Sequence, residues 1–131
     1  MKRNPVLWLR ISYWAGAIID ILAGLIMLFP ALFAFSNRLT GFVPNLSFRF
    51  VAGMGAPLMF GWTVLLLWAD RKPVERKAVL LITLIPILGN AANQISGLLN
   101  GFLSIQAAIP LWVNQAVLTN LYIFSYWNAT K

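Results

Sequence analysis

The sequence predicts an all-α integral membrane protein: a four-helix bundle with four transmembrane helices, short loops and both termini in the cytoplasm. Three observations carry this. Hydrophobic residues make up 60% of the 131 and charged residues only 10%, against roughly 25% charged in a soluble domain. Four apolar runs each approach the ~20 residues that one membrane crossing needs. Eight of the ten basic residues fall on one side of those runs. Four spans take up roughly 80 residues and leave no room for a soluble catalytic domain, so residues 1–131 are expected to form a single transmembrane domain.

The helices are expected at about 7–29, 50–68, 78–99 and 105–126. Backbone groups in lipid must be paired internally, so each run is read as a helix. Leu7 to Phe29 is closed by Pro30. It is longer than the 7–15-residue apolar core of a signal peptide and contains Asp20, so it is expected to remain in the protein. Phe50 to Trp68 is the second run. Ala78 to Leu99 is the third, with Pro73 placed in its first turn, where a missing N–H costs little. The fourth ends near Tyr126 and starts somewhere between Phe102 and Pro110. That leaves Gly101 to Ile109 open as helix, outer loop or short re-entrant segment. Residues 30–49 are expected as an outer loop and Asp70 to Lys77 as a tight inner one.

Orientation follows from the rule that Lys and Arg flanking short spans stay cytoplasmic. Lys2, Arg3, Arg10, Arg71, Lys72, Arg76, Lys77 and Lys131 lie on one side; Arg38 and Arg49 lie on the other. Trp8, Trp68 and Trp127 all fall at the basic ends of helices, where amphipathic rings favour the membrane interface. A multi-pass protein of the cell (inner or plasma) membrane is expected.

The chain contains no Cys and no His. Disulfide relays, thiolate or imidazole metal sites, His-ligated haem, and Ser-His or Cys-His catalysis are therefore excluded. No metal and no cofactor is expected. The net charge of +7 is concentrated beside apolar spans, so its expected partner is the anionic lipid of the bilayer, not nucleic acid. Arg71, Lys72, Arg76 and Lys77 are the candidates for contact with lipid head groups.

One ionisable residue lies deep in a span. Asp at a helix centre costs about 2.5–3.5 kcal/mol on insertion scales, so Asp20 should face protein. Gly16, Ala17, Ala23 and Gly24 lie three or four residues away, on a face that a neighbouring helix can approach closely. Tyr13 extends the same stripe. At 1.5 Å per residue, Asp20 lies roughly 20 Å from the basic end of its helix, Asn90 and Asn93 roughly 18 and 22 Å, and Asn114 roughly 18 Å. The second helix brings its small residues, including Gly53, to a similar level, and Gly61 follows toward the basic end. Gly16, Gly24, Gly53 and Gly61 are expected helix-packing positions.

The third helix carries Thr83, Pro86, Asn90, Asn93 and Gln94 on one face, and the fourth adds Asn114 and Gln115. Amides donate and accept together, so this layer can surround one buried carboxyl group. Asp20, Tyr13, Asn90, Asn93, Gln94, Asn114 and Gln115 are thus candidate ligand-binding residues. The same groups can instead serve as interhelical glue, worth about 0.6 kcal/mol per hydrogen bond.

The segment Tyr13-Trp14-Ala15-Gly16-Ala17-Ile18-Ile19-Asp20, with the helix count, resembles the small multidrug-resistance transporters, which carry a membrane-embedded acid in their first helix. The acid here is Asp where that family has Glu. Arg10-Ile11-Ser12-Tyr13-Trp14 and Gly61-Trp62-Thr63-Val64-Leu65-Leu66-Leu67-Trp68-Ala69-Asp70-Arg71 resemble small bacterial four-helix membrane proteins of a loosely DoxX-like kind, which implies a fold without a mechanism. The expected function is non-enzymatic: a polar intramembrane pocket around Asp20 that binds or transports a small cationic, protic or amphipathic molecule, within a homodimer or alone. The alternative is an accessory subunit of a larger membrane complex.

Overall fold

The computed structural model describes residues 4–131; Lys2 and Arg3, counted above among the basic flanks, lie outside the described residues. Among the described residues the chain is all-helical: α1 (Pro5–Leu28), α2 (Pro30–Ser36), α3 (Leu46–Asp70), α4 (Ala78–Leu99) and α5 (Ile105–Thr130). Four of these, α1, α3, α4 and α5, are long and apolar enough to cross a membrane. The architecture is that of a multi-pass helical membrane protein.

Local chemistry explains where each helix starts. Asn4 caps α1, its side chain accepting from the N–H groups of Val6 and Leu7, with Pro5 in the first turn. Asn45 caps α3 by accepting from the N–H of Phe48 at 2.7 Å. Ser104 caps α5 through the N–H of Ala107, so the fourth span begins at Ile105 and Pro110 lies inside it. Such caps satisfy N–H groups that have no partner within the helix. Pro30 ends α1 by holding Phe29 extended (φ −111°, ψ 104°), since the residue before proline is pushed out of the helical region. It also starts α2, a short helix where a plain loop was expected. Pro73 falls in the turn between α3 and α4 instead of the first turn of α4.

Packing is uneven. α1 is central: it packs extensively on α3 and also on α5, while α4 is held mainly by α5. α3 and α4 follow one another in sequence but scarcely touch. The main core joins Leu9, Tyr13 and Ala17 of α1, Leu66 and Ala69 of α3, Leu80 of α4, and Leu118 and Tyr122 of α5. All of these belong to the half of the bundle that carries both termini and the α3–α4 turn.

That half is also cross-linked by polar contacts. Arg10 grips Asp70 with two hydrogen bonds of 3.0 and 3.1 Å, and the indole N–H of Trp14 donates to the same carboxylate. The Tyr13 hydroxyl donates to the carbonyl of Pro73. The Ser12 and Ser125 hydroxyls meet at 2.8 Å, and Ser125 also donates to the carbonyl of Trp8. Lys77 donates to the carbonyl of Ala129 and to Thr130 Oγ1. At the opposite end Phe33, Phe42 and Phe48 stack on one another, with ring centroids 4.8 to 5.4 Å apart. Leu103, Ala107 and Ala108 form a second small core there.

Candidate functional site

Between the packed half and the aromatic cluster, the four long helices surround a cavity of about 380 Å³. Asp20 enters from α1, with Ile19, Leu22, Ala23 and Ile26; Met59 and Trp62 enter from α3. Thr83, Pro86, Ile87, Asn90 and Gln94 form the α4 wall, and Leu111, Asn114, Gln115, Leu118 and Tyr122 the α5 wall. The volume falls at the lower end of the 300–1,000 Å³ typical of ligand pockets. α3 and α4 both line this cavity and come close to each other at few points, Trp62 and Thr83 among them.

Some of the wall's polar groups are engaged. Trp62 Nε1 donates to Thr83 Oγ1 at 3.0 Å, and Thr83 donates in turn to the carbonyl of Val79. Gln115 Nε2 donates to Gln94 Oε1 at 3.1 Å. Two oxygens are not engaged. Asp20 Oδ2 and Gln115 Oε1 are buried without a hydrogen-bond partner, as are Trp112 Nε1 and Asn128 Nδ2 elsewhere. A buried acceptor left unpaired costs about 1–3 kcal/mol. Both acceptors belong to residues that line the cavity, whose wall is otherwise largely apolar.

Of the residues expected at the site, Asp20, Asn90, Gln94, Asn114 and Gln115 come together on its wall. Tyr13 does not. It is fully buried in the core below, with its hydroxyl turned to Pro73. Asn93 is exposed and lies outside the wall, because it is displaced by roughly 100° around the helix from its neighbour Gln94. Trp62 and Tyr122, not among the candidate binding residues, also line the wall.

The packing glycines divide in two. A Cβ on Gly16 would lie 2.0 Å from Tyr122 Oη and 2.9 Å from Leu66 Cδ1, and one on Gly24 would lie 2.5 Å from the Phe60 ring. These are close-approach positions. Gly53 and Gly61 are not: they are exposed, with no atom within 4 Å of an added Cβ. Gly55, facing the sulfur of Met27 at 2.9 Å, is the tight position in that part of α3.

Of the basic residues assigned to lipid head groups, Arg76 and Lys77 are held by the protein. Arg76 stacks over the Trp68 ring at 3.5 Å and donates to the Trp68 carbonyl. Lys77 is held by the end of α5 and lies 5.5 Å from the Tyr126 ring centre. Arg71 is exposed, and Lys72 forms a solvent-facing pair with Glu75 at 3.1 Å. No grouping of three or more metal-ligating side chains occurs among the described residues. No protein-family model, curated protein or solved structure matches the chain.

Proposed function

We propose that this protein is a non-enzymatic membrane protein whose cavity around Asp20 binds or transports a small cationic, protic or amphipathic molecule. The observation that carries this reading is the unpaired, buried Oδ2 of Asp20 on the wall of a cavity of about 380 Å³. A carboxylate serving only as glue would be expected to have a donor on a neighbouring helix, as Asp70 has in Arg10 and Trp14. Leaving this carboxylate oxygen unpaired inside a span is costly, and a ligand or proton that meets it offsets the cost.

The setting is read from the one-sided distribution of basic residues. Both termini face the cytoplasm, the protein resides in the cell membrane, and Arg71 and Lys72 meet anionic lipid head groups there. Asn93 and Gly89 favour a second reading. Both are exposed on α4 within the span, and an amide facing hydrocarbon is unfavourable. A second copy of the chain, or a larger membrane complex, would cover them.

The test of the main reading is reconstitution in proteoliposomes. Wild-type protein should bind or pass protons, lipophilic cations or amphipathic molecules, and Asp20→Asn should abolish this while the protein stays folded. If a broad panel of these shows no dependence on Asp20, the reading is overturned. Native mass spectrometry of protein drawn gently from its own membrane tests the second reading: a lone monomer speaks against it.

A further inference from the structure

We infer that the cavity selects a small apolar amine in its protonated primary or secondary form, recognised through its N–H groups, and discriminates against fully methylated ammonium ions. This rests on the function proposed above and narrows its ligand.

Several polar groups of the wall are already committed. The indole N–H of Trp62 and the hydroxyl of Thr83 are committed to protein acceptors, and the amide nitrogen of Gln115 is committed to Gln94. Asp20 Oδ2 on α1 and Gln115 Oε1 on α5 are buried acceptors without a hydrogen-bond partner. No Lys or Arg lines the cavity. Asp20 is its one acidic residue, so the complement is a monocation.

Charge alone does not complete the match. Each oxygen gains a hydrogen bond only if the ligand brings an N–H or O–H, and two acceptors call for at least two such hydrogens. A primary or secondary ammonium has two or three. A quaternary ammonium has none, and it would leave both oxygens unpaired. A carboxylate ligand would be repelled by Asp20. The rest of the wall, including Ile26, Met59, Ile87 and Leu111, is apolar and suits a hydrocarbon body.

The test uses the intact protein in nanodiscs of zwitterionic lipid and four compounds of one shape. These are 3-phenylpropylamine, trimethyl(3-phenylpropyl)ammonium, 3-phenylpropanol and 4-phenylbutanoate, titrated calorimetrically with the Asp20→Asn protein as the blank for partition into lipid. The amine should bind at least tenfold more tightly than its trimethyl counterpart and than the alcohol, and the acid should not bind. Gln115→Leu, checked for folding by gel filtration, should weaken the amine about fivefold or more and leave the trimethyl compound unchanged. Equal affinity for the amine and the trimethyl ion overturns the inference while the proposed function stands. Equal affinity for the alcohol also overturns it. If none of the four binds in an Asp20-dependent way but protons or other cations do, the inference falls alone. If none of these ligands does, it falls together with the function it rests on.

Discussion

Gly16 and Tyr122 meet so closely that a methyl group on the glycine would lie 2.0 Å from the phenol oxygen. Tyr122 belongs both to the main core and to the cavity wall. The contact thus sets how near α5 stands to α1 just below the site. Gly16→Ala should destabilise the protein by roughly 1–3 kcal/mol, the usual cost of overpacking, and Tyr122→Phe should partly restore it. Gly53→Ala and Gly61→Ala, with open space around them, should be neutral or stabilising by up to about 1 kcal/mol through helix propensity. Unfolding in mild detergent distinguishes the two pairs.

Asp20 is expected to trade stability for function. Its Oδ2 is buried without a partner, so Asp20→Ala should stabilise the protein by roughly 1–3 kcal/mol while removing ligand binding. A higher midpoint of thermal unfolding together with lost binding is the expected outcome. A large loss of stability would mean that Asp20 holds the helices together.

The serine pair near the termini offers a cleaner measure of polar contacts. Ser12 and Ser125 are completely buried and 2.8 Å apart. A double-mutant cycle with Ser12→Ala and Ser125→Ala should give a coupling energy of about 0.6 kcal/mol, and no more than about 1.7, the range measured for membrane helices. Ser125→Ala should be the more damaging single change, because Ser125 also donates to the carbonyl of Trp8.

Orientation can be read from a chain with no cysteine of its own. Val43 and Val74 lie in opposite loops and are 83% and 44% exposed. A membrane-impermeant maleimide should label Val43→Cys in intact cells and Val74→Cys only after permeabilisation. The reverse pattern would place the termini outside.

Much of this structure is legible in the residues, for reasons that differ by level. The span from Ala78 to Leu99 has the bounds its apolar run predicts. Asn45 and Ser104 set the starts of α3 and α5 outside or at the edge of the apolar runs, which explains why hydropathy alone places those starts less well. α2 is hidden because Pro30 both ends one helix and begins another. Depth along a helix follows from counting residues, and it brought Asp20, Asn90 and Asn114 to one cavity. Rotation about the helix axis does not. Neighbours such as Asn93 and Gln94 point roughly 100° apart, and only packing decides which faces inward. The same ambiguity separates Gly55, against Met27, from Gly53, against nothing. The Arg10–Asp70 pair spans 60 positions of sequence and has no local signature at all.

The separation of α3 from α4 has a mechanical consequence. The two helices leave a short turn, and the Trp62–Thr83 hydrogen bond ties them partway along. Asn90 lies roughly 10 Å beyond that tie, so a change of about 10° between the helices there moves it by roughly 2 Å at that radius. A small rotation of α4 about the Trp62–Thr83 tie thus changes the width of the cavity at the level of Asp20.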